Sequence, residues 1–249
     1  MSGIAAQTQY PFASVIVLIN NVLHRAESEN MAQALVDEQE IDQYFFVEDL
    51  LPSALEAVGL THQDLEPIPH YTDWALVMAY ISQSEYCVHW DAEVKLISGG
   101  DWISPSIDLM GSCRGVFATN PSWTNDLDRV QKESSFLVGE FFVGYGFSDQ
   151  IFLVRPSQLR TNIYRYWCLA SVRYPLSAIG RIFEQRIDSF MRHRRLLRAT
   201  YAPVVYEHFG KEGAIYPRYT FRQWAKHRVY RILSLLGKHW PTVSPCWKI

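Results

Sequence analysis

Residues 14–19, Ser-Val-Ile-Val-Leu-Ile, form an unbroken β-branched and aliphatic run, the pattern of a strand buried on both faces. Asn20-Asn21 end the run, and Arg25 falls in the loop that follows. Across residues 27–39 the apolar positions Met31, Ala34, Leu35 and Val36 form a helical stripe between charged ones. Residues 43–47, Gln-Tyr-Phe-Phe-Val, predict the next strand, which runs out at Glu48-Asp49. Strand, helix and strand within about 35 residues make a βαβ unit, so a parallel pair with a right-handed crossover is expected. Ligands of such sheets bind beyond the carboxyl ends of the strands, where Asn20, Arg25, Glu48 and Asp49 lie.

The pattern continues as alternating elements. Residues 51–58 predict a short helix with Gly59 as its stop, and 61–70, with Pro67 and Pro69, a loop. Thr72 or Asp73 caps a helix through Ala75, Leu76, Met78, Ala79 and Ile81. That helix delivers the chain to an apolar run at 86–89. Residues 99–105 read as a turn, 107–110 as the start of a helix, and 115–119 as a strand, antiparallel or at an edge. Residues 120–132 are polar and loop-like, a surface excursion or a flap over a site. Residues 136–143 are strongly apolar, Gly144-Tyr-Gly146 breaks them, and 147–154 form a strand with Asp149 near its start. Residues 183–195 are helical, with Phe183, Ile187, Phe190 and Met191 near one face. In 217–238 Phe221, Trp224, Ala225, Val229, Ile232, Leu235 and Leu236 share a helical face, with Arg222, Lys226, Arg231 and Lys238 off it.

Composition narrows the class. At 249 residues the chain can bury a substantial core, and no run reaches the roughly 20 apolar residues of a membrane span. No secretory signal is evident, and the four cysteines form no CxxC pair, which argues against a zinc site and fits free thiols in a cytoplasmic setting. Net charge is only −3, but it is divided unevenly. Residues 1–149 carry 5 Lys/Arg against 22 Asp/Glu, a net of −17, and residues 150–249 carry 18 against 4, a net of +14. An acidic and a basic part with different partners are expected.

The chemistry concentrates at Asp91 and Glu93, directly after the apolar run. On an extended segment residues i and i+2 face one side, so both carboxylates would converge on one spot past a strand end. Two hard oxygen donors there suit a divalent cation with positions left open for phosphate. On a solvated strand end the same two acids are incidental. Asp149, flanked by aromatic and aliphatic residues, is partly desolvated, which raises a carboxyl pKa; it binds sugar hydroxyls or orients a neighbouring strand. Neither GxGxxG nor GxxxxGK[ST] occurs, so neither the dinucleotide fingerprint nor the P-loop applies.

Taken in order, Ser-Val-Ile-Val at 14–17, the acidic end of the next strand, and Asp91-Ala-Glu93 after an apolar run resemble GT-A glycosyltransferases. Glu184-Gln185 opening a basic helix and Tyr206-Glu-His208 extend the likeness to family 2 members. Ser148-Asp-Gln150 followed by Glu184 is similar to glycosyltransferases of lipopolysaccharide synthesis. The resemblance implies an α/β fold of GT-A (Rossmann-like) type, a mixed, mostly parallel sheet flanked by helices, with a helical basic C-terminal part. It implies residues 1–145 as a nucleotide-sugar-binding half, 146–215 as the acceptor and catalytic half of the same domain, and 216–249 as a basic tail.

It further implies that Asp91-Ala-Glu93 stands at the DxD motif, which binds Mn²⁺ or Mg²⁺ and the pyrophosphate of a nucleotide-diphosphate sugar, with His208 as a further metal ligand. Glu93 departs from the usual Asp. Glu48 and Asp49 stand where the family contacts base or ribose, and Asn20 and Arg25 belong with the same donor. Glu184 is the expected catalytic base and Asp149 the alternative, because Gln185 replaces the second acid. The expected acceptor is a glycan or lipid-linked glycan of bacterial-type polysaccharide or lipopolysaccharide. The 217–238 helix either packs its apolar face on the domain or lies on an anionic membrane surface, which would make the protein peripheral on the inner face of the membrane. No nucleic-acid motif accompanies the basic residues. The competing expectation is a non-catalytic glycan- or membrane-binding module on a degenerate GT-A fold.

Overall fold

A computed structural model describes residues 3–174, 176–210 and 219–236. The chain opens with α1 (Gly3–Thr8), then β1 (Ile16–Ile19), α2 (Arg25–Asp37), β2 (Gln43–Phe46), α3 (Val47–Val58) and α4 (Asp73–Ile81). Next come β3 (Cys87–Trp90), β4 (Val94–Leu96), α5 (Ile103–Ser112), β5 (Val116–Ser122), α6 (Leu127–Lys132), β6 (Phe136–Val138) and β7 (Phe141–Gly144). The remainder is β8 (Ile151–Val154), α7 (Pro156–Leu159), α8 (Phe183–Arg194), β9 (Leu197–His208) and α9 (Phe221–Leu236).

β1 and β2 pair in parallel across α2, so the βαβ unit is present. It stands apart as a two-stranded sheet, and β1 is half-exposed rather than buried on both faces. An unbroken β-branched run favours the extended backbone but does not supply a second neighbour. The stripe expected on α2 is also not a buried face: Met31 and Leu35 are exposed and Ala32 is the residue turned inward. Glu48 and Asp49 lie in the first turn of α3, where carboxylates meet the positive end of the helix. Gly59 ends α3 in the left-handed conformation at φ 68°, as a C-terminal glycine should.

The main sheet has seven strands in the order β3-β8-β5-β9-β7-β6, with β4 paired to the far end of β9. The architecture is mixed α/β, a mixed sheet between helices. Its balance differs from the expectation: β5–β9 is parallel, whereas β3–β8, β5–β8, β7–β9, β6–β7 and β4–β9 are antiparallel. β5, expected at an edge, is central and buried along its whole length. Its burial follows from neighbours contributed late in the chain, which local pattern does not reveal. Residues 120–132 likewise hold the end of β5 and the helix α6, not a continuous loop.

Side-chain alternation on β8 divides the core into two layers. Phe152 and Val154 join Leu51, Leu55 and Val58 of α3, Leu76 of α4, and Phe183, Ile187 and Met191 of α8. Ile151 and Leu153 face the other way, against Trp102, Ile103 and Met110 around α5 and Leu197 and Ala199 of β9. Cys87, Cys113 and Cys168 are free thiols. Among the described residues no helix is long and apolar enough to cross a membrane.

Candidate functional site

The two acids after β3 are positioned by strand pairing. Trp90 lies opposite Ile151 in the β3–β8 ladder, and the Asp91 N–H extends it by donating to the Gln150 carbonyl at 2.8 Å. Asp91 therefore sits beside the Ser148-Asp149-Gln150 segment. The chain then turns. Val94 N–H donates to the Asp91 carbonyl at 3.0 Å, and Glu93 N–H to Asp91 Oδ1 at 2.8 Å. Asp91-Ala92-Glu93 is thus an Asx-type turn between β3 and β4, not an extended segment, and its acids converge because the backbone folds back on itself.

β4 pairs with the end of β9, placing Val94 opposite His208, and Phe209 N–H closes on the Glu93 carbonyl at 2.7 Å. One ligand atom each from Asp91, Glu93 and His208 then lies within 4.8 Å of the others. His208 Nε2 is 3.4 Å from Glu93 Oε2, and Nδ1 accepts the Gly210 N–H at 3.2 Å. A neutral imidazole so arranged carries its proton on Nε2, facing Glu93. Gly210 leans over this pair: a Cβ there would come within 2.7 Å of Glu93 Oε2 and collide with the imidazole. Two carboxylates and an imidazole form a donor set suited to Mn²⁺ or a similar ion. Asp91, Glu93 and His208 would hold such an ion, His208 through one ring nitrogen.

Behind this exposed cluster lies a second pair of carboxylates. Glu184, in the first turn of α8, lies close enough to Asp149 for the two carboxyls to influence each other's acidity. Loss of solvent, then the nearby Asp91 charge, pushes the Asp149 carboxyl up to about 6, against the pull of His208. Glu184 rises well above the usual carboxylate range, first through loss of solvent and then through Asp149. Both carboxyls are thus made less acidic by loss of solvent, and each charge disfavours the other.

Asp149 is clamped on both sides. Tyr174 Oη accepts the Phe147 N–H at 2.6 Å, and Tyr206 Oη donates to Gln150 Oε1 at 2.9 Å. Loss of solvent raises the Tyr206 phenol to about 12, so it remains a donor. His89, stacked on Trp74 at 4.1 Å between ring centroids, lies near the Asp149 backbone; burial pushes its pKa down to about 3, so the ring is neutral. On the other side Gly146 takes φ 119°, and a Cβ there would meet Arg173 Nη2 at 2.5 Å and Arg198 Nη1 at 3.5 Å. Two guanidinium groups thus border the loop that carries Asp149.

The chain was compared with protein-family models, curated proteins and solved structures. Nothing matches.

The other sequence candidates divide. Asn20 Nδ2 donates to Asp73 Oδ1 at 2.8 Å, and Asp73 also takes the Trp74 N–H. Asn20 is therefore linked to the site through the Trp74–His89 stack. Arg25 binds Glu48 at 2.6 Å and Asp49 at 2.5 Å and lies 3.8 Å over the Phe46 ring. Among the described residues these three make no hydrogen bond or ion pair with the Asp91 cluster; their shared position beyond β1 and β2 is as expected, and their charges are spent on one another. Sequence reasoning missed Arg173, Arg198, His89 and Gly210. The only local signal was the Gly144-Tyr-Gly146 break, because the rest depends on which distant segments meet.

Proposed function

We propose that this protein is a GT-A-type glycosyltransferase that uses a divalent cation and a nucleotide-diphosphate sugar to extend a glycan or lipid-linked glycan. The observation that carries the reading is the convergence of Asp91, Glu93 and His208 beside the Asp149 segment, with the Glu184 carboxyl next to Asp149. Asp91, Glu93 and His208 would hold Mn²⁺ or Mg²⁺, which when bound neutralises charge on a departing diphosphate. The remaining work falls to the chain's own groups.

Sugar transfer needs a carboxylate to accept the proton of the attacking hydroxyl. Of the two sequence candidates, Asp149 suits this better. Loss of solvent and the Asp91 charge bring the Asp149 carboxyl to about 6, in the range of a base working near neutral pH, and its segment pairs directly with Asp91. Tyr206 and Tyr174 hold the Asp149 segment in place, so that little reorganisation accompanies proton transfer. Arg173 and Arg198 add positive charge at the same loop. Asn20, Arg25, Glu48 and Asp49 belong to the nucleoside side of the donor, where Arg25 would exchange a carboxylate partner for ligand.

Calorimetric titration of nucleoside diphosphates with Mn²⁺ tests the reading. Cation-dependent binding that disappears in Asp91→Ala supports it; absence of nucleotide binding by the native protein with any divalent cation rejects it. Once a donor is known, Asp149→Asn should lower transfer by about 10²–10⁴-fold with binding retained. Glu184→Gln, which keeps the size and shape of the side chain beside Asp149, should be far milder. The reverse ranking assigns the base to Glu184.

A further inference from the structure

α9 reads Phe-Arg-Gln-Trp-Ala-Lys-His-Arg-Val-Tyr-Arg-Ile-Leu-Ser-Leu-Leu and contains four Lys/Arg and no acid. With about 3.6 residues per turn, Phe221, Trp224, Val229, Ile232 and Leu235 fall on one arc. Gln223, His227, Tyr230 and Ser234 occupy the opposite arc. Arg222 and Lys226 border the apolar stripe on one flank and Arg231 on the other, with Arg228 inside it.

The helix is mounted with its polar arc inward. It packs on the 3-10 segment Leu169–Arg173, burying Ser234 to 7 % exposure. His227 stacks on Tyr219 at 5.2 Å, and Lys226 Nζ reaches the Ala178 carbonyl at 3.4 Å. The apolar arc points out: Phe221 is 81 % exposed, Leu235 74 % and Ile232 65 %, with Trp224 and Val229 also exposed. Arg228 lies over the Trp224 ring at 5.2 Å. An apolar stripe this exposed marks an interaction surface.

We propose that α9 docks the protein on the surface of an anionic lipid bilayer. The stripe enters the boundary between headgroups and acyl chains, and Arg222, Arg228 and Arg231 meet lipid phosphates. Charge selects this occupant. Arginines flanking and interrupting the stripe complement an anionic surface, whereas a two-fold contact with a second copy of α9 would set cation against cation. A tryptophan and arginines around an aliphatic stripe match the chemistry of the interfacial zone. The segment under α9 ends at Arg173, which borders the Asp149 loop, so docking through α9 couples the bilayer to the element beside the candidate site. The proposal stands independently of the glycosyltransferase reading.

The test is co-sedimentation of the full chain with vesicles of phosphatidylcholine alone and of phosphatidylcholine with phosphatidylserine. Binding to the anionic vesicles is expected, weakened by salt, and absent with the neutral ones. The triple variant Phe221→Ser, Ile232→Ser, Leu235→Ser should lose at least about tenfold in partitioning with its circular dichroism and thermal midpoint unchanged, because these side chains are already in water. Arg222→Gln and Arg231→Gln should each cost about fivefold. Equal sedimentation of the triple variant, or equal binding to neutral vesicles, overturns the proposal. So does a lipid-free dimer in analytical ultracentrifugation that the same substitutions dissolve.

Discussion

Helices α8 and α9 are both arginine-rich and amphipathic, and they meet the rest of the protein with opposite faces. α8 puts Phe183, Ile187 and Met191 into the core, and its polar residues follow them inside. Arg186 survives burial by donating to the carbonyls of Tyr164, Arg181 and Asp64. Arg192 binds Asp188 at 3.0 Å with both side chains fully enclosed. α9 has a similar supply of cations but packs on the short 3-10 segment Leu169–Arg173 through its polar arc, where Ser234 is buried. Its apolar arc stays exposed. The lesson is that amphipathicity defines two faces, and the surface opposite decides which is buried.

The comparison can be broken most forcefully inside α8. Asp188→Ala removes the carboxylate that Arg192 and Ser171 bind and leaves a buried guanidinium without its counter-charge. About 3–5 kcal/mol of stability should be lost, measured by urea unfolding. A loss below about 1 kcal/mol would mean that α8 is no more tightly integrated than α9.

The next effect is pH-dependent and belongs to the carboxyl pair at the start of α8. Between about pH 4 and 6 folded Asp149 holds a proton that the unfolded chain has released, so this group makes stability fall as pH rises. Buried His89 acts in the opposite sense, since the unfolded chain binds a proton between about pH 3 and 6.5 that folded His89 refuses. The useful quantity is therefore the difference between native protein and Asp149→Asn. The variant should gain about 2 kcal/mol relative to the native protein on going from pH 4 to 7, after allowance for partial exposure. A pH-independent difference would show that Asp149 titrates normally. The smallest effect is expected on α9: Ile232→Ser should change unfolding stability by less than about 0.5 kcal/mol. A loss of several kcal/mol would mean that the stripe is covered.

Much of the site was legible as residue types, and little of it as geometry. Asp91, Glu93 and His208 stand out in sequence and do meet, but through an Asx turn and the pairing of β4 with β9 rather than through an extended segment. Arg25, Glu48 and Asp49 also stand out, and the structure spends their charges on one another. Arg173 and Arg198 gave no local signal because each matters only through Gly146, which lies far from both in sequence.

By itself the sequence determined the βαβ unit, the helices α3, α4, α8 and α9, the acidic and basic division of the chain, and the two faces of α9. These follow from short-range periodicity and from charge, which neighbours within a few residues express. Only the tertiary structure decided that the sheet is chiefly antiparallel, that Asp149 and Glu184 become neighbouring desolvated carboxyls, and that α9 turns its apolar face outward. Those outcomes depend on strand order, on solvent removed by distant segments, and on which surface each helix meets. Desolvation and long-range pairing are properties of the assembled chain, so no window of sequence contains them.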